Sequence, residues 1–419
     1  MVMFDRVYRQ RLEADLAQWE ADGVITPAAF AAIRVALPPL APGINIPVVV
    51  AIVGGLLIAA AFLAFVAAHW IELARMARLA ILLAGIVGAH GLGAWFARAG
   101  RPVLADLSAS VGSIIFGAGI SLVGQMYHLG GDFAGGMLLW AMGALAAAAL
   151  TGSRGTLAVA LVAASVWSNM RAFEIPDVPH VSFAPIWLIG SGLALAWNSR
   201  VAAHLVALAA LPWWIATAIR PGFESSFVLA DGAALLFGAG LALTVAPWQR
   251  ASSAGAVLST YGAFSLAAVA VLEVATANDL ASHVATTQPF WAISCGVAGV
   301  VLALAAAAAT NQAGAALAGS AIGLVLVAAA LWTPPQAGEP WPTCAVELCA
   351  MLCLVVSGTL DSARPRIVAG WLGIAGVIAA ITWAVKGSLL RRSMFLAAAG
   401  AVAVTISLLL NRLLPRNQQ

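Results

Sequence analysis

The stretch LADLSASVGSIIFGAGISLVGQMYHLGGD, residues 104–132, decides how the rest of the chain is read. From Leu104 to His128 it contains no proline and one charge, Asp106. A bilayer core of ~30 Å needs ~20 helical residues, so this run is long enough to cross one. Asp106, Ser110, Ser113, Gly117, Ser121, Gly124 and His128 step by three or four and fall in a sector of about 80° on a helical wheel. Leu107, Val111, Ile114, Ile115, Ala118 and Leu122 occupy the opposite side. A membrane helix cannot turn such a stripe to lipid without cost, so the stripe must meet other helices or water. Two readings stay open at this point. Small residues and serines can make a close helix-packing surface, or the stripe can form one wall of a polar path.

The flanking sequence repeats the apolar theme. Of 419 residues, 63% are hydrophobic and 9% are charged, against about 25% charged in a soluble domain. One aqueous globule would have too little polar surface to cover so much apolar mass. Forty Gly and 15 Trp fit membrane helices that pack closely and anchor at the interface. Apolar runs of span length fall at 47–68, 77–97, 104–128, 133–151, 154–170, 183–198, 201–219, 227–247, 254–274, 289–309, 312–332, 343–361, 366–385 and 393–412. The expected fold is an all-α polytopic transmembrane bundle of about 14 spans, with 12–14 allowed because 154–170 and 183–198 are short. The runs are long and lack strict alternation, which excludes a strand reading.

Residues 1–43 differ from the rest. Arg6, Arg9, Arg11, Glu13, Asp15, Glu20 and Asp22 make the start too charged for a cleaved signal. An amphipathic helix is expected from Phe4 to about Ala21, stopped by Gly23. A second follows from Ala28 to Leu37, with Thr26 and Pro27 as its cap and first position. Residues 44–412 form the membrane domain and 413–419 a short tail. Basic residues set the orientation. With the N-terminus inside, Arg6, Arg9, Arg11, Arg34, Arg98, Arg101, Arg154, Arg200, Arg250, Arg364, Arg366, Arg412 and Arg416 are cytoplasmic. Arg75, Arg78, Arg171, Arg220, Lys386, Arg391 and Arg392 then lie on the other side. Thirteen against seven predicts both termini in the cytoplasm. The positive charge forms no dense patch, so nucleic acid is not an expected partner. The lipid bilayer is.

The polar residues that remain carry the functional expectations. Gly130-Gly131 would break the third span, leaving Gln125, Tyr127, His128 and Asp132 around an irregular turn. His69 and Glu72 end the first span on the same side. These groups can gather at one rim, where a His–carboxylate set relays protons or binds a cation. The plainer reading is interfacial anchoring in contact with solvent. Asp231, Glu273, Asn311, Gln312, Glu347 and Lys386 are the other polar groups in or near spans, most within reach of water at a span end. Glu347, one turn inside its span, is the best candidate for a buried charge. Cys295, Cys344, Cys349 and Cys353 form no CxxC pair and read as apolar fillers. No P-loop, HExxH or GxSxG is present. Neither an enzyme nor a bound cofactor or metal is expected.

Several segments together resemble a known family. They are Leu16–Trp19, Gly23-Val24-Ile25, Gly54-Gly55, Ala67-Ala68-His69-Trp70, Phe116-Gly117-Ala118-Gly119, Gly124-Gln125-Met126-Tyr127-His128 with Asp132, Leu139-Trp140-Ala141, and Phe395 through Gly400 to Arg412. The chain resembles the bacterial predicted membrane proteins grouped as domain of unknown function 2157, most clearly over its first 150 or so residues. His69 stands where that family more often has Asn, and the acidic residue after the Trp is displaced to Glu72. The resemblance implies a multi-span protein of the bacterial inner membrane and brings no activity with it. The leading functional expectation is a permease-like protein for a small solute or ion. Its rival is a membrane scaffold or sensor whose N-terminal helices bind a cytoplasmic partner.

Overall fold

A computed structural model describes residues 12–36 (except 14), scattered positions between 50 and 64, and residues 73–128, 132–174, 180–219, 225–276, 289–331 and 341–384. Besides helical residues at 12–21 (except 14) and at the scattered positions between 50 and 64, thirteen helices lie among these: α1 (Pro27–Ala36), α2 (Arg75–Arg98), α3 (Pro102–Met126), α4 (Phe133–Thr151), α5 (Arg154–Ala172), α6 (Phe183–Ala196), α7 (Arg200–Ala218), α8 (Ser225–Thr244), α9 (Gln249–Thr276), α10 (Phe290–Thr310), α11 (Ala313–Leu331), α12 (Trp341–Leu360) and α13 (Arg364–Ala384). The expected first span lies only partly within the described residues. His69, Glu72, Lys386, the expected last span and the tail lie outside them.

Local chemistry sets the helix ends. Before α1, Gly23 takes a left-handed φ of 72°, and the Thr26 hydroxyl accepts from the Ala29 N–H at 3.2 Å. The Asp132 side chain caps α4, which closes at Gly152 in the left-handed region. Ser153 and Ser199 cap α5 and α7 in the same way. Each cap satisfies an N–H that the first helical turn leaves without a partner.

Ten of the described helices are long and apolar enough to cross a membrane: α2, α3, α4 and α7 through α13. The two runs read as short spans fall outside that set. Helix α6 has 14 residues, ~21 Å of rise. Helix α5 has 19, but it is bounded by Arg154 and Arg171 and carries Ser165, Ser168 and Asn169. Its position explains the composition. It packs among α3, α4, α6 and α7, and Leu157, Ala160, Leu161, Ala163 and Ala164 are almost wholly buried. A helix enclosed by protein has little need of a lipid-compatible surface.

The helices pack around two main cores. The first joins α4–α7 through Ala141, Ala144, Leu157, Ala164, Phe183 and Val206. The second joins α8–α13 through Phe237, Leu241, Leu266, Ile322, Met351, Leu354 and Ile381. Ala203 and Ala207 of α7 meet Ala254 and Val257 of α9 and link the two. Small residues set the approach within the second core. A methyl group built at Gly238 would lie 2.0 Å from the Gly299 carbonyl oxygen, so α8 and α10 touch backbone to backbone there. Gly238→Ala should therefore force the pair apart and cost about 1–3 kcal/mol. Gly323→Ala meets no atom within 4 Å, so better helix propensity should leave stability equal or higher by about 0.5–1 kcal/mol. Thermal unfolding in detergent compares the two variants.

Candidate functional site

Helix α3 places its polar stripe in two different settings. At its start, the Asp106 carboxylate accepts from Ser153 Oγ at 2.5 Å and from the Gly155 N–H at 3.1 Å. It thus holds the positive end of the α5 dipole. Ser110 Oγ donates to the Asp106 carbonyl at 2.7 Å, and Ser113 Oγ donates to the Ala109 carbonyl at 3.1 Å. Trp140 Nε1 donates to the Ser113 carbonyl at 2.8 Å, and its ring fills the space a side chain on Gly117 would need. These bonds and contacts hold α3 to α4 and α5. Farther along, Ser121 and Gln125 are exposed, as are Tyr127 and His128 in the turn that ends the helix. His128 takes a positive φ of 49°. Asp106 and His128 are 22 residues apart, ~33 Å of helix, so they belong to different ends of the bundle.

At the His128 end, Asp132 does two things. Its carboxylate accepts the Gly135 N–H and pairs with Arg171, which also holds Glu174 at 2.5 Å. The Gly135 N–H, followed by Arg171, keeps the Asp132 carboxyl below its ordinary value of 3.8. A depressed carboxyl stabilises the fold above its unfolded value, and that contribution disappears as pH falls through the folded one. Relative to Asp132→Asn, wild type should hold a small, salt-sensitive stability advantage that fades below about pH 5. Acid unfolding at two ionic strengths measures it. The two residues share one predicted side of the membrane, but nothing in their spacing, 39 apart, announced the contact.

The α8–α13 core contains a different constellation. Glu273 of α9 and Glu347 of α12 are 1% and 0% exposed, and none of their four carboxylate oxygens has a hydrogen-bond partner. The two carboxyls interact with each other, and the field of Asp231, on α8 and 7% exposed, reaches Glu273. The expectation that Glu347 is a buried charge matches this placement. The expectation that Asp231 and Glu273 reach water at span ends does not. Helix α9 runs on to Thr276 and turns Glu273 inward, and Asp231 Oδ1 lies against Gly296 of α10, where a side chain would displace it. All three residues sit at one end of the core, because α8 and α12 begin where α9 finishes.

The other end of the same helices opens into a cleft of about 710 Å³, lined by Thr244, Ser259, Thr260, Gln312, Asp361 and Arg366 among others. Arg366, read from the sequence as an orientation signal in a loop, is 9% exposed. Its guanidinium donates to Asp361 at 2.6 Å and to Ser357 Oγ at 3.2 Å, and lies 6.0 Å from the centre of the Phe237 ring. Arg366→Ala leaves Asp361 nearly buried without its cation and should cost about 3–5 kcal/mol, whereas Arg366→Met with Asp361→Leu should recover most of the loss. Chemical unfolding of the two variants tests this.

One register connects the two polar ends. Ser259, Leu266 and Glu273 recur every seven residues on α9, as do Glu347 and Leu354 on α12 and Asp361 in the turn that directly follows it, its N–H still bonded to the Ser357 carbonyl. Seven residues is close to two turns, so each set lies along one helix face. In both helices the order is carboxyl group, apolar residue, cleft residue. Leu266 and Leu354 meet Phe237, Leu241 and Met351 in a dry layer between the stations, which are ~21 Å apart along the helices. Among the described residues no group of three or more His, Cys, Asp or Glu is arranged to hold a metal ion, and the four cysteines are free thiols.

These features define a multi-pass α-helical membrane protein with two polar stations inside one helical core. Residues 17–157 match the model of a family described as "Predicted membrane protein (DUF2157)", the same family the sequence resembles. The match ends at the start of α5, so both stations lie beyond it. No curated protein and no solved structure matches the chain.

Proposed function

We infer that the protein is a permease-like carrier of a small solute or ion. The observation that supports this reading is the seven-residue register of α9 and α12, which sets a buried carboxyl station and a polar cleft on opposite sides of an apolar layer. A scaffold gains nothing from two uncompensated carboxyls in its core, because each carries a desolvation cost of several kcal/mol. A carrier needs such groups, since a site that binds ions must be dry when closed and reachable when open. With the N-terminus inside a bacterial inner membrane, the cleft faces the cytoplasm and the carboxyl station lies toward the far side.

A second reading draws on the N-terminal segment, where Trp19, Val24 and Ile33 are exposed at 43%, 71% and 38%. An apolar surface of that kind suits a protein partner, so residues 1–43 serve as a docking arm in this reading. Changes at the stations would then leave function intact, and removal of the arm would abolish it.

Thiol access separates the two. Cys344 is 3% exposed and lies one turn from Glu347. With the other cysteines replaced, the carrier reading expects a membrane-impermeant reagent to label Cys344 from one face of sealed vesicles. A cysteine placed at Ser259 should label from the opposite face, and one at Leu266 far more slowly than either. If Cys344 stays protected from both faces while Ser259→Cys labels, the carboxyl station is sealed and the carrier reading falls.

A further inference from the structure

We propose that Glu273 and Glu347 hold a single proton between them and form the proton-exchange site of the carrier. The exchange role rests on the carrier reading above; the shared proton does not.

The argument starts from the surroundings of the pair. Each element packed against it contributes few charges among the described residues. Helix α8 brings Asp231, α10 brings Cys295 near that aspartate, and α12 brings Cys344 beside Glu347 itself. Helix α11 has no titratable side chain. The cations of α13, Arg364 and Arg366, sit at its start by the cleft, as do Arg250 at the start of α9 and Arg200 and His204 at the start of α7. No described cation therefore faces the two glutamates, and the third group that does is another acid.

Two ionised carboxylates side by side in such a place repel each other with almost no solvent to screen them. A carboxylate accepts but cannot donate, which is why two facing carboxylates leave four oxygens without partners. One proton removes the repulsion and gives two of the four oxygens a partner. It bonds to a Glu273 oxygen, and the new O–H donates to a Glu347 oxygen, so the pair carries one negative charge instead of two and gains a strong charge-assisted bond. A dehydrated metal cation asks for more, since hard cations take six or more oxygen ligands. The described surroundings supply two carboxyl groups at contact, with Asp231 behind them. In exchange, the proton enters from water as the station opens, binds one carboxylate, and leaves to water on release; no electrons move.

Carbodiimide labelling tests the proposal on the full chain. Dicyclohexylcarbodiimide is apolar and adds to a protonated carboxyl, so it reads out a buried carboxylic acid directly. Purified protein in liposomes should acquire the adduct at Glu273 or Glu347 near neutral pH, located by peptide mass spectrometry. The rate should fall about tenfold per pH unit once the pair gives up its proton. Sodium chloride exchanged for choline chloride should not change it. Double substitution with E273Q and E347Q should remove the signal while elution as a single folded species persists. No adduct at either residue across about pH 6 to 9 in folded protein would mean that both are ionised, which ends the proposal. Labelling independent of pH would show a permanently protonated structural pair, and protection by sodium would assign the site to a metal cation. Each of these overturns proton exchange. Thiol access at Cys344 is read separately, so a shared proton without access from either face would retire the carrier and leave the proton in place.

Discussion

In the bilayer interior there is no water to complete an unfinished hydrogen bond, so each polar group must find its partner within the chain or carry a cost. That constraint orders the molecule. Backbone groups meet it by forming helices. Ser110, Ser113 and Ser191 meet it by bonding to a carbonyl one turn back. Trp140, Trp187, Trp213 and Trp214 meet it by reaching carbonyls on other elements, which also fixes how those elements pack. Asp106 meets it at the N-terminus of α5, and Arg366 at Asp361 and Ser357. Among the described residues, Glu273 and Glu347 are the ones whose fully buried side-chain oxygens do not, with four bare oxygens between them. Their place in an otherwise satisfied interior is what directs attention to the α8–α13 core.

The two cores divide the labour. The first core is small-residue packing stabilised by aromatic hydrogen bonds, and its polar residues finish as caps and clamps. The second has the closest backbone approaches, at Gly238 and Gly299, and also the buried charges. Close approach and buried acids occur side by side here: Asp231 Oδ1 takes the space that a side chain on Gly296 would need, so the glycine lets α8 and α10 close around the acid. The family match over residues 17–157 stops short of this core.

Much of the architecture was legible in the chain. The boundaries expected for the fourth span coincide with Phe133–Thr151, because Asp132 and Gly152 are unambiguous start and stop residues. Thr26, Pro27 and Gly23 marked α1 for the same reason. The third-span stripe was visible too, yet its residues part company in space. The helix is longer than any one site, and Asp106 and His128 end up at opposite membrane faces. The rim group was less accessible to reasoning from sequence: Arg171 joins Asp132 through a contact between helices that no local pattern encodes.

Hydrophobic length and cap chemistry are properties of consecutive residues, and they sufficed to determine that this chain folds as helices built for a membrane. They also made Glu347 conspicuous, since a charge inside a long apolar run is costly wherever the run packs. Tertiary structure alone decided what Glu347 faces. Its partner lies on α9, separated from α12 by two intervening helices, and Asp231 comes from α8. The seven-residue register of Ser259, Leu266 and Glu273 gains meaning only beside the matching register of Glu347, Leu354 and Asp361. The physical reason is that periodicity tells which residues share a helix face, whereas the faces that meet are chosen by side-chain volumes and glycine contacts summed over the whole bundle.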